Sequence, residues 1–326
     1  MQQTANTSAR GFRLQRHVDS LLTEPKHFAP EHKRMAKIST GVNVEYVLHE
    51  QQQPGATKEE RVVLIRGFQE VKEVWTPTVD QLLRQWPADS NLKILTFDNR
   101  GAGRSDATWG RYTTSQLAAD ALALMDHLEW QDAHIVGYSM GGMISLELAS
   151  AAPERVKSLS LLATTRGKYT SDKDDGTALR MLFTRDPAAL AEFMVGILYP
   201  ETFKSRKMDD SDEIVHHQLI AFHRHRFENA APSRFIGWIG QLLALVTHYV
   251  SHERLATIAQ AGFPVLIIGC GDDDLIPGRE SATLATHIKG THVKYISYDD
   301  AGHGVTVQYM DEVTEELLAT FRRAST

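Results

Sequence analysis

Short, continuous apolar runs recur along this chain between amphipathic stretches, and that alternation leaves few folds open. Val62-Val63-Leu64-Ile65, Lys93-Ile94-Leu95-Thr96-Phe97, Ala133-His134-Ile135-Val136 and Ser158-Leu159-Ser160-Leu161-Leu162 are separated by helix-like segments at 78–86, 114–128 and 143–149. Strands that are apolar on both faces must be covered on both, so the pattern predicts a mostly parallel sheet flanked by helices. Ahead of it, residues 36–39 and 44–48 alternate around Thr40-Gly41-Val42-Asn43, which reads as a β-hairpin at an antiparallel edge. The rhythm stops from 166 to 253, where helical stretches near 178–184, 188–198, 211–226 and 233–248 have no strand between them. It resumes with Pro264-Val265-Leu266-Ile267-Ile268, a helix at 281–288, Val293-Lys294-Tyr295-Ile296 and a terminal helix at 311–322. The expected organisation is a leader (1–34), an α/β core (35–165 and 254–326) and an inserted helical lid (166–253).

Bulk properties narrow the class of function. A chain of 326 residues, 42% hydrophobic, can bury a large core. A net charge of -6 without a basic stripe argues against nucleic acid and for a small-molecule substrate. The single cysteine, Cys270, follows the apolar segment 265–268 and is expected to be a buried, inert thiol. No stretch approaches the roughly 20 apolar residues of a membrane span, and the N-terminus lacks the apolar core of a secretory signal. The expected compartment is the cytosol. Residues 1–18 carry Arg10, Arg13 and Arg16 and no acid, as a mitochondrial transit segment does, although a disordered leader explains the same residues. No motif speaks to the oligomeric state.

The chemistry centres on Gly137-Tyr138-Ser139-Met140-Gly141-Gly142, between the strand ending at Val136 and the helix over 143–149. So sharp a turn strains the serine backbone, and glycines two positions either side are needed where a Cβ would strike the adjacent strand or helix. The hydroxyl is left at a helix N-terminus, where developing negative charge is favoured. A serine hydroxyl is a weak nucleophile, so a histidine must take its proton and a carboxylate must orient that histidine. His303, in Asp299-Asp300-Ala301-Gly302-His303-Gly304, follows the last strand and is the candidate base, its flanking glycines suiting a tight loop. The carboxylate should follow the strand 265–268, where Asp272, Asp273 and Asp274 are all candidates. Among the lid histidines His216, His217, His223, His225, His248 and His252, only His248 and His252 have a metal-like i, i+4 spacing, and the glutamate of a metalloprotease motif is missing. No metal is expected.

With these three roles in chain order, the sequence resembles the α/β-hydrolase family from about residue 36 onward. The resemblance implies an eight-stranded, mostly parallel sheet with an inserted helical cap, and no cofactor. It selects Asp273, because family members often place the acid four positions before a proline, here Pro277. It implies an oxyanion hole built from the backbone N–H groups of Met140 and, by position, Phe68. Where the family commonly has His-Gly, this chain has Arg66-Gly67, a departure whose permanent charge calls for a structural ion pair or solvent. The loop Asp98-Asn99-Arg100-Gly101-Ala102-Gly103-Arg104-Ser105-Asp106 lacks the spacing of phosphate or dinucleotide fingerprints, so turn-stabilising hydrogen bonds are expected there. Arg66, Tyr138 and Trp238 are candidates for the pocket wall. The implied activity is hydrolysis of a carboxylic ester, lactone or thioester through an acyl-enzyme. The alternatives are a carbon–carbon bond hydrolase, a peptidase, and a non-hydrolytic ligand-binding or signalling protein on the same fold.

Overall fold

A computed structural model describes residues 27–168, 180–181, 183–184, 186–208, 212–231 and 234–325, with the backbone of 3–4. Most of the predicted leader, and residues 178, 179 and 182 of the helix predicted at 178–184, lie outside the described residues. The strands are β1 (Gln3–Thr4), β2 (Lys33–Lys37), β3 (Asn43–Gln51), β4 (Lys58–Ile65), β5 (Ser90–Phe97), β6 (Ala133–Tyr138), β7 (Val156–Leu162), β8 (Val265–Cys270) and β9 (Val293–Tyr298). They form one sheet in the order β1-β9-β8-β7-β6-β4-β5-β3-β2, where the two-residue β1 adds a ninth strand beside the expected eight. Only the β2–β3 and β3–β5 pairs are antiparallel, so the predicted hairpin does form one edge. Strand β2 begins at Lys33, inside the predicted leader, and Phe28 is buried against the sheet.

The helices are α1 (Thr76–Gln85), α2 (Thr114–His127), α3 (Met140–Ala151), α4 (Pro187–Leu198), α5 (Glu201–Lys204), α6 (Val215–Asn229), α7 (Phe235–Val246), α8 (His252–Ala261), α9 (Gly278–His287), α10 (Val305–Gln308) and α11 (Met310–Ser325). Side chains alternate across the central strands and build two apolar layers. Val63, Ile65, Ile135 and Ile267 pack with Leu117 and Met125 of α2, Ile144 of α3, Leu255 of α8 and Leu284 of α9. Val62, Leu64, Val136 and Ile268 face Val79 and Leu82 of α1 and Leu317 and Phe321 of α11. A third cluster, with Leu198, Phe203, Leu219 and Phe222, joins α4, α5 and α6 to Val307 of α10. Cys270 is buried, and burial pushes its thiol well above the ordinary range. Among the described residues, no helix is long and apolar enough to cross a membrane.

The strand order reverses at β4, which has β5 on one side and β6 on the other. Loops leaving a parallel sheet at such a point diverge and open a crevice at the carboxyl ends of the strands. Ile65 pairs with Gly137, so the loops after β4 and β6 leave the sheet at the same level.

Beneath the loop after β4 lies a buried ionic cluster that apolar periodicity does not reveal. Lys72, 1% exposed, bonds Asp98 through its Nζ at 3.1 Å and through its backbone N–H at 2.8 Å, and its ammonium also contacts Glu45. Burial works against the charged form of this lysine, yet Asp98, Glu73 and Glu45 hold its ammonium above the usual range. Ser105 Oγ closes the network by donating to the Asp98 carbonyl (2.6 Å) and accepting from Glu45 N–H (2.9 Å). Asp106 accepts from the Asn43 backbone at 2.8 Å, and Arg100 forks onto Asp120 at 2.7 and 2.8 Å. The glycine-rich 98–106 loop is therefore occupied with hydrogen bonds that fix its own turn.

Removing one partner of such a cluster leaves buried carboxylates uncompensated, typically at a cost of about 3–5 kcal/mol. Lys72→Met should lower unfolding free energy in urea by about that amount. A loss below roughly 1 kcal/mol would mean that the cluster does not fasten the loop.

Candidate active site

Ser139 follows β6 with φ 57° and ψ -124°, a conformation that non-glycine residues adopt only where the surroundings enforce it. The flanking glycines are required for the reason read from the sequence. A Cβ at Gly137 would lie 2.3 Å from Ser145 Oγ and 2.4 Å from the Gly141 carbonyl oxygen, and one at Gly141 would lie 2.0 Å from the Ile65 carbonyl oxygen. Ser139 N–H donates to Leu162 O at 3.0 Å, and Thr164 Oγ1 donates to Ser139 O at 2.7 Å. Helix α3 begins at the next residue, Met140, so the serine sits at its N-terminus.

The loop after β9 brings His303 to this point, with Nε2 2.9 Å from Ser139 Oγ and Nδ1 2.7 Å from Asp273 Oδ2. Of the three neighbouring aspartates it is Asp273 that reaches the imidazole, and Asp272 is exposed. The other carboxylate oxygen of Asp273 accepts from the N–H groups of Leu275 (2.8 Å) and Ile276 (2.9 Å). A carboxylate on Nδ1 fixes that nitrogen as the donor and leaves Nε2 free to accept from the serine hydroxyl. Tyr138 O–H donates to the His303 carbonyl at 2.6 Å, tying the residue before the serine to the histidine.

The glycines beside His303 serve a different purpose from the one expected. Neither adopts a left-handed φ; instead both let the end of α4 approach. A Cβ at Gly302 would meet Leu198 O at 2.5 Å, one at Gly304 would meet the Tyr199 ring at 2.3 Å, and Gly304 N–H donates to Leu198 O at 2.8 Å.

On the opposite side, Gly67 packs against the serine, its would-be Cβ 3.1 Å from Ser139 Cβ. Gly67 N–H donates to Glu70 Oε2 at 3.3 Å and Gln69 N–H to Gln241 Oε1 at 2.8 Å. Between them, Phe68 N–H has no partner among the described residues. The Phe68 ring meets Trp238 of α7 edge-on, with centroids 5.4 Å apart. Arg66 turns away: its guanidinium, 4% exposed with its residue, bonds Glu70 at 2.9 Å and lies between the rings of Trp75 and Tyr138, 4.6 and 4.4 Å from their centroids. The structural ion pair is thus present, with cation–π stacking added. Burial raises the Glu70 pKa, but Arg66 and Arg226 outweigh it and hold the carboxyl below its ordinary value. The spaced histidines part company: His248 Nδ1 bonds Thr114 Oγ1 at 2.8 Å, while His252 faces Arg166 and stacks on His287.

Two residues here escaped sequence reasoning. Glu70 follows Arg66 by four positions, a spacing that hints at pairing, whereas nothing local marks Gln241. This wholly buried side chain of α7 accepts from Gln69 N–H and donates to Arg100 O at 2.8 Å, joining the loops after β4 and β5.

Residues 60–307 match the alpha/beta hydrolase fold family, and the chain belongs to that family. It is a hydrolase of this fold. It is similar to the proposed carbamate hydrolase RutD of Caulobacter vibrioides, 29% identical over 265 residues, which are 80% of this chain and 89% of that protein. It is 30% identical over 256 residues to BpoC of Mycobacterium tuberculosis, a proposed non-heme bromoperoxidase, covering 74% of this chain and 86% of that one. Among solved structures, the enol-lactonase of Burkholderia xenovorans LB400 superposes with a TM-score of 0.70 at 21% identity, covering 89% of this chain and 100% of that chain.

A methyl group at Gly141 has no room beside Ile65 O, so Gly141→Ala must displace the turn. Misplacement by about 1 Å costs on the order of 10²-fold in turnover. We expect at least that loss in kcat on a p-nitrophenyl ester with the circular dichroism spectrum retained, whereas Gly196→Ala, which meets nothing within 4 Å, should leave kcat unchanged. Wild-type kcat in Gly141→Ala would contradict a strained, sterically closed turn.

Proposed function

We propose that this hydrolase cleaves a carboxylic ester, lactone or thioester, with Ser139 as nucleophile, His303 as general base and then general acid, and Asp273 as its orienting carboxylate. The carrying observation is the unbroken relay from Ser139 Oγ through His303 (2.9 Å) to Asp273 (2.7 Å), assembled at the carboxyl ends of β6, β9 and β8. Ser139 Oγ attacks the carbonyl carbon as its proton passes to His303 Nε2, and the tetrahedral oxyanion is held by the N–H groups of Met140 and Phe68. Collapse expels the leaving group, which takes the proton back from His303. Water, deprotonated by the same imidazole, then releases the acid. An oxygen or sulfur leaving group needs less protonation than an amine, which favours esters and thioesters over peptides.

In this reading the helical segment 166–253 is the lid, and Trp238, against Phe68, is its contribution to the pocket. The named chemistries of the relatives, carbamate hydrolysis and enol-lactone opening, both begin with attack on an acyl carbon. Tyr138 and Arg66 lie behind the serine: Tyr138 is 3% exposed and covered by the guanidinium.

Ser139→Ala should lower kcat/KM on p-nitrophenyl esters by about 10⁴-fold or more. Asp273→Asn should cost about 10⁴-fold in kcat, with little change in Asp272→Asn. Turnover surviving in Ser139→Ala, or a larger loss at Asp272 or Asp274 than at Asp273, would overturn the assignment. A series of acyl chains graded in length and bulk would then define the substrate.

A further inference from the structure

Behind the serine, where α4 and α6 meet the core, is a small cavity whose wall includes Arg66, Glu70, Tyr138, Tyr199, His223 and Arg226. The space open to the centre of a water-sized sphere is about 20 Å³, room for one group of that size. Three buried donors in its wall have no hydrogen-bond partner among the described residues: Arg66 Nε, Arg226 Nε and His223 Nδ1. Arg66 is 4% and His223 3% exposed, so water outside does not reach them. Assigning the Tyr199 O–H as donor to His223 Nε2, 3.1 Å away, puts the imidazole proton on Nδ1.

Among the described residues the charges around the cavity do not balance. Two guanidinium groups share one carboxylate, since Glu70 Oε1 lies 2.9 Å from Arg66 Nη2 and 3.8 Å from Arg226 Nη2. Asp273, the other nearby acid, is engaged by His303 and two backbone N–H groups. Burial pushes Arg226 below its usual pKa, against the opposing pull of Glu70 and with help from Arg66, which is the signature of an incompletely compensated cation. Burial, then Arg226 and Arg66, also hold His223 well below its ordinary value, so the imidazole stays neutral and adds a donor without further charge.

Convergent N–H donors with surplus positive charge in a low-dielectric pocket favour an acceptor that is itself negative. We propose that this cavity binds one small monoanion, a halide ion or the carboxylate end of a substrate, through Arg66, Arg226 and His223. Tyr138 and Gly304 in the wall are chain neighbours of Ser139 and His303, so the cavity adjoins the segments that carry the serine and the histidine. The halide source is independent of any reaction, while the substrate source rests on the hydrolase reading above.

The first test uses the intact protein. Its Tm is followed as sodium chloride replaces sodium gluconate, whose anion is too large for the cavity, at fixed ionic strength, and crystals soaked in bromide are searched for anomalous density. A saturable rise of about 2–4 °C is expected, with bromide between Arg66 and Arg226, and loss of the thermal response in Arg226→Gln. The second arm compares p-nitrophenyl esters of matched length with and without a terminal carboxylate. Chloride raising KM for the carboxylated ester alone, with that preference falling at least tenfold in Arg226→Gln, assigns the site to substrate. Bromide density with no carboxylate preference assigns it to the free ion. No saturable halide response, no bromide in the cavity and no preference for the carboxylated ester would together overturn the proposal. Bromide bound in a protein that hydrolyses neither ester would sink the hydrolase reading alone.

Discussion

Ser139 holds a backbone conformation that an L-residue keeps only under constraint, and the arrangement around it is what supplies that constraint. Strand β6 delivers the chain, α3 takes it away, and the two approach so closely that only glycine fits at 137 and 141. The hydrogen bond to Leu162 and the one received from Thr164 pin both ends of the residue to the neighbouring strand. Gln69 after β4 and Ala163 after β7 also have positive φ, so backbone strain gathers at the carboxyl ends of adjacent strands, where the candidate site lies. The two apolar layers hold those strand ends in register and so sustain the strain.

The helices between β7 and β8 are coupled to the same point from two directions. The end of α4 presses onto the glycines flanking His303, while Gln241 of α7 holds the loop that carries Phe68. Helix α7 also comes so close to the loop after β5 that a Cβ on Gly237 would lie 2.2 Å from Gly101 O. Both the histidine and the loop opposite it therefore depend on where these helices sit. Arg66, Glu70 and Arg226 extend the link to α6 by charge.

Much of this was legible in the sequence because it is local. Apolar runs gave the parallel strands, and the glycines around Ser139 announced a turn whose steric reason the structure bears out. What escaped is non-local. Strand β4 starts at Lys58 rather than Val62, because Glu59 pairs laterally with Arg61 and Lys93, and such pairing leaves no apolar signal. Helix α8 runs from His252 across the expected lid boundary, capped by Ser251. The choice among Asp272, Asp273 and Asp274 required a family resemblance, since only the fold decides which carboxylate faces β9 and its loop. Nothing local marks Lys72 as the centre of a buried cluster, and Gln241 carries no mark until its two partners are seen.

Labelling with a fluorophosphonate probe, read by mass spectrometry of the modified peptide, tests the central claim most directly, because the probe reacts with a serine only when a base activates it and an oxyanion site receives the phosphoryl oxygen. A single adduct on Ser139, suppressed in a folded His303→Ala variant, is the predicted result. Folded wild-type protein that stays unlabelled, or carries the adduct on another serine, would contradict it.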